Sequence, residues 1–177
     1  MDKNMQAIFL LTSHFLQYPE VSWAEEAQEA EQFCRDIPVP QIREGVFAFF
    51  GYIAGLTLEK RQEEYVRIFD FSKNTNLYLS AHLFEDQKER SQELLRYKEL
   101  FLAGGFDLQA ELPDYLPAIL EFCARADVQA ARRLLQFCRS SIEALREKLL
   151  QAECIQVLLL DSILTAADLL EREASYI

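Results

Sequence analysis

Asp127–Leu149 reads DVQAARRLLQFCRSSIEALREKL. Val128, Ala131, Leu135 and Cys138 stand at i, i+3, i+7 and i+10, and Ile142, Leu145 and Leu149 carry the spacing onward. That is the period of an amphipathic helix and not the alternation of a strand. Asp127 stands where a side-chain oxygen accepts from the free N–H groups of a first turn. The stretch predicts a long helix capped by Asp127, with a bend around Ser140. It contains neither Gly nor Pro.

The same pattern extends in both directions. Downstream, Leu159, Ile163, Ala166 and Leu170 predict a last helix over about Glu153 to Glu173. Upstream, Pro113-Asp114-Tyr115-Leu116-Pro117 opens a helix to about Ala126, because proline is tolerated in a first turn and Asp114 suits the positive end of the dipole. Before it, Asp86 to Ala103 is charged and amphipathic, with Leu94, Tyr97 and Phe101 inward, and Gly104-Gly105 ends it with a left-handed cap. A short apolar helix is expected over Leu77 to Phe84. Loops are expected at Asp70 to Asn76 and Phe106 to Leu112.

Toward the N-terminus, Lys3 to Tyr18 forms a helix stopped by Pro19, and Ser22 caps a second that ends before Pro38. From Gln41, the residues Val46, Phe47, Phe49, Phe50, Tyr52 and Ile53 are apolar almost all round, which places that helix inside a bundle. Gly51 and Gly55 offer close approach to another helix, or Gly55 ends this one. Thr57 caps a fourth helix through Phe69. With five Gly and five Pro in 177 residues, turns are few and elements long. The expected fold is all-α, one domain over residues 1–177, a bundle of about eight helices.

Composition narrows the function. The net charge of −11 repels nucleic acid and anionic membrane surfaces and favours a basic partner. The uncharged runs Asn4 to Pro19 and Gly45 to Leu58 are shorter than the about 20 apolar residues of a span, and no small-x-small cleavage site follows the first. Neither membrane insertion nor processing is expected. Cys34, Cys123, Cys138 and Cys154 form no C-x-x-C, and His14 and His82 are the two histidines. No metal site is expected, and reduced cysteines suit the cytoplasm. There is no nucleophile elbow, zinc-protease helix, phosphate loop or dinucleotide fingerprint. The chain reads as a non-enzyme without a cofactor.

One constellation carries more information. Tyr65-Val-Arg-Ile-Phe69-Asp70 is followed by Leu77-Tyr78-Leu79, His82, Arg90 and Tyr97, then by Leu112-Pro-Asp-Tyr-Leu-Pro117 and Leu120-Glu121-Phe122. With the opening Leu-Thr-Ser-x-x-Leu-x-Tyr-Pro of Leu11 to Pro19, this order resembles the nitrate reductase delta-subunit family, the NarJ chaperones, within the wider TorD/DmsD group. Leu83-Phe84 and Ser91 stand where that family usually has glycine. The resemblance implies a helical cytoplasmic chaperone. It would hold the N-terminal peptide of a molybdoenzyme catalytic (alpha) subunit, most simply of nitrate reductase, during molybdenum cofactor insertion. It also implies contact with cofactor-delivery proteins. A client with a twin-arginine leader in another molybdoenzyme, or a plain helical scaffold, are the alternatives.

On this reading the peptide site comprises Tyr65, Phe69 and Asp70, then Leu77, Tyr78 and His82, with Asp114, Tyr115, Pro117 and Glu121 as a facing wall. Aromatic area and acidic anchors suit an apolar, basic leader. Tyr65, Phe69 and Tyr78 read equally as core, and Asp70, Asp114 and Glu121 as caps or internal ion-pair partners. Replacing Asp70 and Asp114 together by Asn is expected to weaken peptide binding without unfolding. His82 is expected to make that binding pH-dependent near neutrality.

Overall fold

A computed structural model describes residue 1, residues 3–108 and residues 111–174. Gln109 and Ala110, inside the predicted Phe106 to Leu112 loop, lie outside the described residues. Eight α-helices follow in order: α1 (Lys3–Phe15), α2 (Trp23–Cys34), α3 (Pro40–Ala54), α4 (Leu58–Tyr65), α5 (Gln87–Ala103), α6 (Leu116–Arg125), α7 (Val128–Gln151) and α8 (Val157–Ala174). A π-turn at Val66–Asp70 extends α4, and a 3-10 turn at Leu79–His82 precedes α5. Among the described residues there is no strand, so the all-α architecture stands. No helix among them is long and apolar enough to cross a membrane.

Helix α7 organises the bundle. Asp127 accepts from the N–H groups of Gln129 and Ala130, both at 2.9 Å. Ala131, Leu134, Leu135, Cys138, Ile142, Leu145 and Leu149 are buried along one stripe. That stripe meets α8, α6, α5 and the 3-10 turn. No break occurs at Ser140: the helix runs on, and Ser141 is buried within the stripe. The last helix begins at Val157, later than the sequence predicts. Glu153 takes φ 54° and the Cys154 N–H reaches back to the Leu149 carbonyl (2.9 Å), a left-handed closure of α7.

Helix α3 is less enclosed than its composition predicts. Val46, Phe49, Phe50 and Ile53 are buried against α2 and α8, while Gly51, Ala54 and Tyr52 face outward. A Cβ at Gly51 would meet nothing; Gly45 makes the close approach, its side facing the Leu158 carbonyl of α8. Gly55 is the end of α3. Ser22 precedes α2, but its hydroxyl caps nothing because its own backbone is already helical. Thr57 does cap α4, accepting from the Lys60 N–H (3.3 Å).

Two glycines end α5 for different reasons. Gly105 takes φ 83° and lets the Phe106 N–H bond the Phe101 carbonyl (3.0 Å). Gly104 has an ordinary φ of −86°, but a Cβ there would lie 2.4 Å from Phe122 Cζ. Phe122 is fully buried between Phe101 and Phe106 and has no room to retreat. Gly104→Ala is therefore expected to cost about 1–3 kcal/mol by overpacking. A melting temperature lowered by about 2–10 °C checks this.

Candidate peptide-binding site

The middle of the chain folds back on itself where the sequence shows two loops. Phe71 bonds its N–H to the Val66 carbonyl (2.9 Å), five residues back, which defines the π-turn. The widened turn leaves the Ile68 carbonyl to the Thr75 hydroxyl, which donates to it. Asn76 closes the loop: its amide donates to the Lys73 carbonyl (3.0 Å) and its side-chain oxygen accepts from the Tyr78 N–H (3.0 Å). The fourth helix thus ends at Tyr65 and not at Phe69, and the apolar helix predicted for Leu77 to Phe84 is one 3-10 turn.

The returning segment pairs with the entry to α6. Leu79 N–H donates to the Asp114 carbonyl and Leu116 N–H to the Leu77 carbonyl, both at 2.9 Å, around a Tyr78–Tyr115 bridge. Below that bridge lies Asp114, 0% exposed. Its carboxylate accepts from the Ser80 N–H (3.1 Å) and the Ser80 hydroxyl. Arg90 donates from Nε to the same hydroxyl (3.0 Å) and brings its charge within 4.0 Å of the carboxylate. Asp114 is a structural anchor that joins α5, the 3-10 turn and α6.

Above the bridge runs a row of tyrosines. Tyr18, at the end of the α1 segment, packs edge-on against Tyr65 with centroids 5.4 Å apart. The Tyr65 and Tyr115 hydroxyls lie close enough to act on one another. Tyr115 lies 5.2 Å from Tyr78, and the Tyr78 hydroxyl donates to Glu111 (3.2 Å). Phe69 supports the row from below Tyr65 at 5.0 Å. Burial, then the Glu111 carboxylate, pushes the Tyr78 phenol up to about 12. Burial pushes Tyr115 and Tyr65 upward as well, with Asp70 a further cause in both. These phenols stay protonated in a locally negative field, which suits a cationic ligand.

Eight of the ten predicted site residues therefore separate into two groups. Tyr65, Tyr78 and Tyr115 are half-buried and share the row, with exposed Asp70 beside it. Phe69, Leu77, Pro117 and Asp114 are enclosed and offer no surface to a ligand in this conformation. Pro117 is held by its carbonyl, which accepts from the Ser13 hydroxyl of α1 (2.8 Å). Glu121 is exposed and pairs along α6 with Arg125 (2.7 Å). No contact among the described residues joins it to the row. Sequence reasoning missed Tyr18 and Glu111. Tyr18 stood within the Leu11 to Pro19 motif, whereas nothing in the chain signalled Glu111.

His82 links this region to α7. Its Nε2 donates to the Asn76 carbonyl (2.8 Å) and its Nδ1 accepts from Lys148 Nζ (3.1 Å). Burial lowers its pKa below 6.5, and Lys148 and Arg90 lower it further. The shift favours the neutral ring, and the pH response expected of His82 moves toward the acid side. The folded chain binds this proton less readily than the unfolded chain. Stability from His82 is complete above about pH 6.5 and is lost as pH falls through the lower folded value. His82→Gln is expected to flatten the decline in melting temperature between about pH 7.5 and 5.5.

A sequence model of the family described as nitrate reductase delta subunit matches residues 38–154. The chain belongs to the nitrate reductase delta subunit family. The tyrosine row, the Asp114 anchor and the loop at residues 71–76 all depend on residues inside that match, with Tyr18 and Ser13 added from outside it. The chain is 36% identical over 166 residues to the probable nitrate reductase molybdenum cofactor assembly chaperone NarJ of Bacillus subtilis, covering 93% of this chain and 90% of that protein. It is 26% identical over 164 residues to the NarJ chaperone of Escherichia coli K12, covering 90% and 69%. It is also similar to the nitrate reductase-like protein NarX of Mycobacterium tuberculosis, at 36% over 89 residues, half of this chain and 14% of that protein. The NarJ relatives are named as assembly chaperones and not as catalysts.

Proposed function

We propose that this delta-subunit family protein is a cytoplasmic chaperone that binds the N-terminal segment of an apo molybdoenzyme catalytic subunit. It supports molybdenum cofactor insertion before the enzyme assembles at its membrane. The carrying observation is the row Tyr18–Tyr65–Tyr115–Tyr78 flanked by Asp70 and Glu111. Aromatic rings supply contact area with little entropy to lose, and the carboxylates attract a basic segment and speed its encounter. Lys or Arg of a leader would also gain from the faces of the rings. The names of the NarJ relatives favour nitrate reductase as client. A twin-arginine leader of another molybdoenzyme fits the same chemistry and is the second reading. Cofactor-delivery proteins are further partners on this account.

The direct test is the molybdenum content of nitrate reductase purified from cells with and without this protein. We expect the enzyme to be largely cofactor-free in its absence and restored by the intact chain. Full cofactor content in its absence would overturn nitrate reductase as the client.

A further inference from the structure

A cavity of about 470 Å³ is lined in part by Ser72, Asn74 and Thr75 of the loop at residues 71–76. Its walls include Arg67, Lys148, Ser72, Asn74 and Gln151, with Ile68 and Ala152 as an apolar portion. Among the described residues no carboxylate lines it, although the chain carries 29 acids against 18 Lys and Arg. That is unusual placement for two cations in so acidic a protein.

The reason is local. Arg67 follows Glu63 and Glu64 at helical pairing distance, yet Glu63 is taken by Lys60 (2.6 Å) and Glu64 by the Tyr52 hydroxyl (2.7 Å). Arg67 lies within the π-turn, and its charge is felt at Tyr52 and at Cys154, which also lines the cavity. Its guanidinium has no hydrogen bond or ion pair among the described residues. Among the described residues Lys148 likewise pairs with no carboxylate, and its Nζ donates to His82 (3.1 Å). The Ser72 oxygen accepts from the Asn74 N–H (3.2 Å), leaving its hydroxyl proton free to donate. The Gln151 amide donates to Glu147 (3.2 Å), which is not among the lining residues.

We infer that this cavity is a binding site for a small molecule bearing a phosphate group. Arg67 and Lys148 would neutralise a dianion, and Ser72 and Asn74 would donate to its remaining oxygens. The volume lies in the range of small-molecule pockets and exceeds what a bare phosphate needs. The body carrying the phosphate would lie against Ile68 and Ala152. This site is separate from the tyrosine row and does not depend on the identity of the client.

The test is a nuclear magnetic resonance titration of the full chain with inorganic phosphate and with phenyl phosphate, at ionic strength held constant with sodium chloride. We expect saturable shifts confined to residues 67–75 and 148–154, with phenyl phosphate the tighter ligand. Arg67→Gln and Lys148→Gln should each weaken binding by about tenfold or more, since each removes a charge-assisted hydrogen bond. The Arg67 guanidinium makes no hydrogen bond among the described residues, and Gln at 148 still offers a donor to His82, so both variants should stay folded. Shifts that never saturate, or affinity unchanged in both variants, would overturn the site. Equal affinity for the two probes would overturn the place assigned to the ligand's body.

Discussion

Asp114→Ala is expected to cost about 2–4 kcal/mol and to lower the melting temperature by about 5–15 °C. The carboxylate is fully buried and holds the Ser80 N–H, the Ser80 hydroxyl and, through them, Arg90. Alanine leaves two buried donors without an acceptor, and that unmet desolvation is the larger part of the loss. The Arg90 contact contributes less, because Arg90 is partly exposed and its distance is 4.0 Å. Asp114→Asn should fall between the two. It keeps an acceptor for Ser80, but its NH2 goes where Asp114 Oδ1 already has no partner among the described residues. Thermal denaturation followed by circular dichroism checks the order: parent, then Asn, then Ala. An Asp114→Ala protein as stable as the parent would show that the loops do not depend on this anchor. With Asp114 fully buried, its half of the Asp70→Asn, Asp114→Asn pair is expected to act through stability.

Truncating the row has the opposite profile, a large effect on binding with little on stability. Tyr18 is 46% exposed and Tyr78 half-buried, so Tyr18→Ala with Tyr78→Ala removes surface and little core. If these rings are the central contacts, each contributes on the scale of an interface hot spot, about 2 kcal/mol. The pair should then weaken peptide affinity by about 100-fold or more while the melting temperature changes by only a few degrees. Asp70→Asn with Glu111→Gln should act differently. Rim carboxylates steer encounter, so their loss should slow association and reduce its salt dependence, with a smaller effect on affinity. Stopped-flow association at two salt concentrations separates the two cases.

Much of the fold was legible because it is local. Asp127 caps α7, Thr57 caps α4 and Gly105 ends α5, each through contacts within a few residues. The apolar spacing from Val128 to Leu149 likewise named its own buried stripe. What escaped depends on residues far apart in the chain. Asp114 at the start of a helix looks like a dipole partner; only its meeting with Ser80, 34 positions away, makes it a buried anchor. Tyr18 joins the row by crossing 47 positions to Tyr65. The π-turn was invisible because Tyr65–Asp70 has ordinary helical composition, and the widened turn is fixed by Thr75 taking the Ile68 carbonyl. Ser22 shows a further limit: a residue type suited to a helix start does not reveal whether its side chain caps it.

The most direct measurement is a calorimetric titration of the full chain with a synthetic N-terminal peptide of a nitrate reductase catalytic subunit. The account predicts saturable binding that weakens as sodium chloride is raised and is largely lost in the Tyr18→Ala, Tyr78→Ala protein. Absence of binding, or affinity unchanged when both tyrosines are removed, would contradict it.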